Sequence, residues 1–298
     1  MDFVIPDNIQ QSLQRIPTPW GTLVGLKSDR ITQTILADGQ YEWAETAIVG
    51  QLLRAGAVTL DVGANIGYYT ALFHLLAGSR GQVHSFEANP FTAALLRRSK
   101  AENGWNNVRI NNVAVGAAPS TIRVRAMDLE GAAADTNLNL GGWMVREAEA
   151  GEWTIDLTSL DRYVADNKLD KLHFLKVDVE GFELKVMEGG DSVIRKFRPY
   201  IIMEMRAEDD TDEQRCVQLL EFLRGRDFAC CRIMKRPFPH FRPVHDSEVV
   251  GRYHFNMLAM PAARYREYED SAGLRGEPAV TKPLPLRVSV DGPPAAQA

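Results

Sequence analysis

The stretch DVGANIG, residues 61–67, decides the fold of this chain. A short apolar run, residues 58–60, precedes it, and a run with helical character, residues 68–76, follows it. The order of strand, glycine-containing turn and helix places backbone amides and a carboxylate, that of Asp61, beside a bound cofactor. The dinucleotide motif G-x-G-x-x-G instead opens with a glycine and carries its acid about 20 residues later. The pattern therefore predicts a related but different cofactor site.

The composition is that of a globular protein with a sizeable core. Of the 298 residues, 45% are hydrophobic and 24% are charged, which argues against wholesale disorder. The formal net charge of -5 disfavours nucleic acid as a partner, because proteins that follow a phosphate backbone are usually basic. Three cysteines without metal-site spacing indicate reduced thiols in a cytoplasm. No apolar run approaches the ~20 residues that cross a bilayer, so we expect a cytoplasmic protein with no membrane partner.

Strand-like and helix-like runs alternate from residue 57 onward. The strand-like runs are 58–60, 82–86, 108–112, 173–177, 200–205, 228–233 and 255–260. The helix-like runs are 68–76, 90–103, 159–167, 182–187 and 211–224. This alternation predicts an α/β, Rossmann-like fold, with a mostly parallel sheet covered by helices on both faces.

Three parts of the chain are predicted. Residues 1–56 are expected to cover the cofactor site, with a hairpin made of 23–27 and 31–36 and a helix over 41–53. Residues 57–262 form the cofactor-binding domain, and 117–158 form an insertion over one edge of it. Residues 263–298 form a Pro- and Ala-rich C-terminal tail, of which residues 271–298 are expected to be poorly ordered.

Charge selects the cofactor. Ligands of an open parallel sheet bind at the carboxyl ends of its strands. Glu87 ends the second strand, where its carboxylate can accept hydrogen bonds from both hydroxyls of an adenosine ribose, each worth roughly 1.5–3 kcal/mol. Asp61 would repel a pyrophosphate, whereas S-adenosylmethionine has no phosphate and carries an ammonium and a sulfonium. Electrostatics therefore favour S-adenosylmethionine over NAD.

At this point the chain resembles the FkbM family of class I S-adenosylmethionine-dependent methyltransferases. The ordered motifs are DVGANIGYYT, FEANP, NNVAVG, TSLDRYV and LKVDVEGFELKVMEGG, with GQYE before them and NMLA after them. They span roughly residues 20–262, and residues 61–70 and 176–189 are the most specific. The resemblance implies a seven-stranded sheet with a reversed final strand. It also implies methyl transfer, mostly to hydroxyl oxygens of sugars or natural products.

The resemblance assigns cofactor-binding roles by position. The residues are Tyr41, Glu45, Asp61, Gly63, Asn65, Gly67, Glu87, Ala88, Asn89, Asn112, Ala114 and Asp178. The glycine turn would line the methionine part, the loop after the second strand would hold the ribose, and Asn112 and Ala114 would flank the adenine. Asp178 would close the site near the sulfonium. Tyr41 and Glu45 would cover the amino-acid end or, alternatively, only pack a helix.

Acids after the fourth and fifth strands are candidate catalytic residues. Asp178, Glu180 and Glu204 should share one rim, where they could contact the acceptor hydroxyl or remove its proton. They could instead bind a divalent cation such as Mg²⁺, or Glu180 could cap the following helix. His240, in the Pro-rich loop 236–244, is a further candidate base, as is His245.

The leading hypothesis is an O-methyltransferase with a small-molecule or glycan acceptor. An NAD-dependent oxidoreductase is disfavoured by Asp61, by the missing first glycine and by the lack of a Tyr-x-x-x-Lys pair. A non-catalytic nucleotide-binding domain is disfavoured because acids remain at four strand ends. The sequence leaves a homodimer open.

Overall fold

The computed structural model describes residues 3–124, 129, 153–235 and 239–272. The strands are β1 Leu13–Thr18, β2 Gly21–Leu26, β3 Val58–Val62, β4 Gln82–Phe86, β5 Val108–Asn111, β6 Ala114–Val115, β7 Ser120–Val124, β8 Trp153–Thr158, β9 Phe174–Val177, β10 Tyr200–Ala207, β11 Phe228–Met234, β12 His240–Pro243 and β13 Tyr253–Pro261. The helices are α1 Asp7–Gln10, α2 Arg30–Asp38, α3 Trp43–Leu52, α4 Tyr68–Ala77, α5 Pro90–Asn103, α6 Leu160–Asp166, α7 Glu183–Glu188, α8 Asp191–Phe197, α9 Asp210–Arg224 and α10 Ala262–Ala272. A 3-10 helix spans Asp246–Val249. None of the helices in these ranges is both long and apolar enough to cross a membrane.

The central sheet has the order β12-β11-β13-β10-β9-β3-β4-β5. Strands β5, β4, β3, β9 and β10 run parallel, and β13 is antiparallel to both β10 and β11. This confirms the predicted α/β sheet and its reversed final strand. The expected strand number was wrong, because the sheet has eight strands in the described residues rather than seven.

Helices cover both faces of the sheet, as predicted. Side chains alternate between the faces along β9, so Phe174 joins one buried cluster and Leu175 joins the other. The first cluster contains residues of α2, α3, α4 and α5, and the second contains residues of α6, α7, α8 and α9. The two layers make β3 fully buried, which explains its nearly continuous apolar character.

The extra strand is β12, in the segment predicted to be a Pro-rich loop. Among the strands of the described residues it pairs with β11 only, so it forms the edge of the sheet there. An edge strand tolerates proline because the missing N–H can face away from the sheet, and Pro243 ends β12. The prolines therefore predicted a loop where part of the segment forms a strand. Residues 236–238 of the predicted loop lie outside the described residues.

The N-terminal hairpin lies earlier in the chain than predicted. Strand β2 pairs with the upstream β1, and residues 30–38 form helix α2 instead of a second strand. The side chain of Asp29 accepts a hydrogen bond from the backbone N–H of Thr32, and Gly39 ends the helix in the left-handed region at φ 73°. The Asp29 cap and the terminal Gly39 favour a helix more strongly than the short apolar run 31–36 favours a strand.

The predicted insertion contains two strands, β7 and β8. Strands β7 and β8 pair antiparallel, and β8 also pairs with β6, which gives a small three-stranded sheet beside the central one. The segment 131–150 lies outside the described residues. The first residues of the predicted tail belong to helix α10, which ends at Ala272, and residues 273–298 lie outside the described residues.

We predict that Asp29→Ala lowers the free energy of unfolding by about 1–2 kcal/mol, because the first turn of α2 loses its capping acceptor. Chemical denaturation measures the change. Asp38→Ala, at the exposed end of the same helix, is the matched control and should stay within about 0.5 kcal/mol of wild type. Equal losses in the two variants would contradict the capping role.

Candidate active site

A cavity of about 410 Å³ opens at the carboxyl ends of β3, β4, β9 and β10. Parallel sheets bind ligands at this edge. The sequence-predicted residues that line it are Tyr41, Asp61, Gly63, Asn65, Glu87, Ala88, Ala114, Asp178, Glu180 and Glu204. The structure thus brings most of the predicted cofactor and acceptor residues together around one space.

The glycine turn leaves no room for a side chain at its first position. Gly63 has φ 82°, and a Cβ placed there would lie 1.8 Å from the backbone oxygen of Asp178. Asn65 also adopts a left-handed φ, of 49°, although it is not glycine. The backbone of the turn therefore approaches the loop after β9 closely and forms the floor of the cavity. Gly67, at φ 98°, starts α4 below this floor and is not among the lining residues.

Glu87 holds two loops with one carboxylate. Its Oε2 accepts from the backbone N–H of Asn65 at 2.8 Å, and its Oε1 accepts from the backbone N–H of Asn89 at 2.8 Å. Burial raises the pKa of Glu87 to about 7, although these two hydrogen bonds oppose the rise. The side chain is thus fixed in place, and its remaining lone pairs can accept from a ligand in the cavity.

Asn89 and Asn112 support the cavity wall from behind. The side chain of Asn89 caps α5 by accepting from the backbone N–H groups of Phe91 and Thr92. The side-chain amide of Asn112 donates to the backbone oxygens of Glu87 and Ala88, at 2.8 and 3.1 Å. Neither asparagine is among the lining residues, so the structure places both as supports of the predicted ribose loop.

Asp61 has an unused acceptor atom in the cavity wall. It lies within β3 rather than after it, opposite Ser85 and Lys176 in the flanking strands, because the strand extends to Val62. Its Oδ2 accepts from the hydroxyl of Thr70 at 2.6 Å, whereas its buried Oδ1 has no hydrogen-bond partner. Burial raises the pKa of this carboxyl. A buried acceptor without a donor costs about 1–3 kcal/mol, which a ligand's ammonium would relieve.

Lys176 is a site residue that the sequence analysis missed. It is 5% exposed, its Nζ donates to Asp178 at 2.8 Å, and it lies over the ring of Tyr69. Burial alone would lower the pKa of Lys176, but Asp178, Glu42 and Asp61 raise it above its ordinary value. Its signal in the sequence was a single charged residue inside the apolar strand 173–177.

Glu42 lines the cavity where Glu45 was predicted to contribute. Glu42 has φ 46°, and it accepts from the hydroxyl of Tyr69 and from the side-chain amide of Asn256. Burial is the main reason that its pKa is raised. Glu45 is buried one turn further along α3, where it accepts from the same Asn256 and is not a lining residue. The motif GQYE contained this signal, because Glu42 directly follows the predicted Tyr41.

Three carboxylates meet on the other side of the cavity. Oxygen atoms of Asp178, Glu180 and Glu204 lie within 4.8 Å of one another. Each already has a basic partner, since Asp178 pairs with Lys176, Glu180 with Arg206 at 2.8 Å and Glu204 with His254 at 2.6 Å. Burial, and then Glu204, raise the pKa of Glu180 to about 7. The cluster therefore contains two ion pairs and one carboxylate, Glu204, that is hydrogen-bonded to a histidine.

The predicted histidine base lies elsewhere. His240 is a buried residue of the edge strand β12, opposite Met234 of β11, and it is not a lining residue. The prolines around it indicated a flexible loop that could overhang the site, and the observed strand removes that geometry. His245 precedes the 3-10 helix. The histidine that lines the cavity is His254 of β13.

We predict that Glu87→Gln weakens binding of S-adenosylhomocysteine by about 10- to 100-fold, because an acceptor becomes a donor facing a backbone N–H. With a pKa of about 7, Glu87 is mostly protonated below that pH, so wild-type affinity should fall about tenfold between about pH 8 and pH 6. The Gln variant should lose this part of the pH dependence. Calorimetric titration measures both effects.

The control is Glu221→Gln, at an exposed position of α9. Identical pH profiles of affinity for wild type and Glu87→Gln would contradict the role of Glu87 in cofactor binding.

Two curated relatives match parts of the chain. The hexuronic acid methyltransferase AglP of Haloferax volcanii is 26% identical over 157 residues, which cover 51% of this chain and 57% of that protein. A protein-L-isoaspartate O-methyltransferase of Methanocella arvoryzae is 33% identical over 58 residues, or 20% of this chain and 31% of that protein. The chain thus spans less than two thirds of either relative.

A solved structure and a family profile also match. The structure of the FkbM methyltransferase from Methylobacillus flagellatus KT is 16% identical, with a TM-score of 0.45, and the match covers 77% of this chain and 52% of that one. Residues 61–230 match the family described as the methyltransferase FkbM domain. This match takes in the glycine turn, Glu87 and the acids after β9, and it covers more than half of the 298 residues. The chain belongs to the FkbM methyltransferase family.

Proposed function

We propose that this protein binds S-adenosylmethionine and transfers its methyl group to a hydroxyl of a sugar or another small natural product. One observation carries the proposal: the unbonded Oδ1 of Asp61 and the fixed carboxylate of Glu87 flank the same glycine turn on neighbouring strands. The first suits the ammonium of the cofactor and the second suits its ribose hydroxyls. When bound, the cofactor supplies an activated methyl group on a sulfonium.

Charge supports this cofactor over NAD. Glu42, Asp61 and Glu87 line the same part of the cavity, and burial raises the pKa of each. A raised pKa means that the folded protein resists negative charge there. A cationic ligand relieves that cost, whereas a pyrophosphate would add to it. The alternative of an NAD-dependent oxidoreductase is therefore disfavoured by the acidic residues of the cavity as well as by the sequence motif.

The acceptor would enter over β9 and β10. Asp178, Glu180 and Glu204 line that part of the cavity, together with Phe182, whose side chain is partly exposed. Carboxylates can accept from sugar hydroxyls, and an aromatic ring can pack on the apolar face of a sugar. The similarity to a hexuronic acid methyltransferase supports a sugar acceptor. The protein's task is alignment, because the acceptor oxygen must lie about 3–3.5 Å from the methyl carbon.

We further propose that no divalent cation takes part. Asp178 and Glu180 are ion-paired with Lys176 and Arg206, and Glu204 accepts a hydrogen bond from His254, so much of the charge that would attract a cation is already compensated. A metal ion would have to displace these partners and leave Lys176 buried without its closest carboxylate, which is costly.

We expect calorimetry to show micromolar binding of S-adenosylhomocysteine and no binding of NADH. Gly63→Ala should abolish the binding, because its Cβ would collide with the backbone of Asp178. Gly78→Ala is the matched control: Gly78 also has a left-handed φ, of 64°, but a Cβ there meets nothing within 4 Å. Binding of NADH, or equal binding by the two variants, would refute the assignment of the cavity.

The acceptor class is tested by release of S-adenosylhomocysteine with methyl glucoside and methyl glucuronide as paired substrates. The two sugars differ only at C6, which carries a hydroxymethyl group in the glucoside and a carboxylate in the glucuronide, so their relative rates report whether an acidic acceptor is preferred. Methyl transfer to neither sugar, in a protein that binds the cofactor, would refute a simple sugar acceptor.

Activity should be unchanged after divalent cations are removed with EDTA. The reason is that the carboxylate cluster is held by its own basic partners. The check is the rate of S-adenosylhomocysteine formation before and after EDTA, with Mg²⁺ added back. A loss that Mg²⁺ restores would assign the cluster to a metal instead.

A further inference from the structure

We infer that His254, oriented by Glu204, is the base that removes the proton from the acceptor hydroxyl. The inference rests on the proposed methyl transfer and assigns to that reaction a residue that neither the motifs nor the comparisons point to. Within the described residues, His254 is the imidazole that lines the cavity.

The antiparallel pairing of β10 and β13 brings the two residues together. Glu204 lies opposite Asn256, and Arg206 lies opposite His254. Residues two apart on a strand point to the same face, so these four polar side chains share one face. Their neighbours Met205, Phe255 and Met257 are buried on the other face. Glu204 and His254 are therefore diagonal neighbours, a spacing that long side chains can bridge.

The hydrogen bond fixes which nitrogen can accept a proton. His254 Nε2 lies 2.6 Å from Glu204 Oε1. A carboxylate can only accept, so Nε2 carries the hydrogen and Nδ1 keeps its lone pair. The Glu204 side chain is 18% exposed whereas that of His254 is 64% exposed. A largely buried acid thus orients a ring that an incoming acceptor can reach.

The other candidate bases are less available. Asp178 is held by the buried Lys176, and Glu180 is held by Arg206, so accepting a proton would weaken an existing ion pair in each case. Protonation of His254 has the opposite effect, because it places a positive charge against Glu204. Catalytic bases are typically supported by such an orienting acid.

The charges around His254 agree with this role. The hydrogen bond from Glu204 is the main reason that the pKa of His254 is raised, and Glu42 adds to the rise while burial and Arg206 oppose it. Asp178, Glu180 and Glu208 also line the cavity. The local field therefore favours the imidazolium that forms when the proton is taken, and the base is inactive once it is already protonated.

The reaction step balances without another reagent. A lone pair of the acceptor oxygen forms the new bond to the methyl carbon as the bond from sulfur to that carbon breaks. The bonding pair stays on sulfur, which becomes the neutral thioether of S-adenosylhomocysteine. The hydroxyl proton moves to Nδ1 of His254, and the resulting imidazolium later loses it to solvent.

The test compares His254→Gln with Glu221→Gln, a change to the same residue at an exposed position outside the cavity. His254→Gln should lower kcat for the sugar that the enzyme methylates by about 10²- to 10⁴-fold. Its affinity for S-adenosylhomocysteine should stay at the wild-type value. Glu221→Gln should leave both quantities unchanged. An unchanged kcat in His254→Gln, or a parallel loss of cofactor affinity, would overturn the inference.

A second measurement does not depend on the acceptor. In protein with ¹⁵N-labelled histidine and bound S-adenosylhomocysteine, the neutral ring of His254 should be in the Nε2–H form, and Glu204→Gln should reduce that preference. Glu204→Gln should also shift the acidic limb of the kcat profile to lower pH, because the group that raises the pKa of His254 is gone. A tautomer indifferent to Glu204→Gln would refute the pairing even if methyl transfer is established. Failure to bind the cofactor would instead refute the proposed function.

Discussion

The site depends on one buried cation, Lys176, set among three acids. Its ammonium compensates Asp178 directly and lies close enough to Asp61 and Glu42 for each to raise its pKa. Removing one partner from a buried charge group typically costs several kcal/mol, because the remaining charges lose their compensation. Lys176 also lies between Asp61, which is proposed to face the ammonium of the cofactor, and Asp178, which is proposed to face the acceptor. The position of this one side chain therefore sets the charge on both sides of the proposed reaction.

Of the six non-glycine residues with a left-handed φ in the described part of the chain, three line the same cavity. Glu42, Asn65 and Glu180 have left-handed φ angles of 46°, 49° and 50°, and all three line it. Such conformations cost of order 1–3 kcal/mol each for a side-chain-bearing residue, and they persist where the surrounding structure imposes them. Here the imposing contacts are visible: Glu87 holds Asn65, Asn256 holds Glu42 and Arg206 holds Glu180. The folded protein is thus less stable than it could be, because it holds polar groups of the cavity in fixed positions, as expected of a binding site.

The sequence predicted most of the sheet and the cofactor half of the site, because both follow from local order. A polar residue after an apolar run marks the carboxyl end of a strand, and parallel strands bring those ends together, so Gly63, Glu87 and Asp178 could be placed without a structure. The acceptor half depends on register between distant segments. Asn256 reaches Glu42 across 214 positions, and His254 reaches Glu204 across 50, and nothing local indicates either contact. His240 shows the same difficulty, because the prolines near it predicted a loop, whereas His240 and Pro243 belong to the edge strand β12.

The reversed strand β13 determines which of its residues reach the site. A parallel final strand would bring its carboxyl end to the cavity, whereas β13 brings its amino end, so the residues involved are the early ones, His254 and Asn256. Asn256 joins the N-terminal segment to the sheet through Glu42 and Glu45, and His254 lines the cavity. In the proposed reaction the start of β13 therefore serves both substrates, because Asn256 holds Glu42 beside the cofactor and His254 takes the proton of the acceptor. A change at His254 should alter activation of the acceptor while the glycine turn, which Glu87 holds through Asn65, keeps its position.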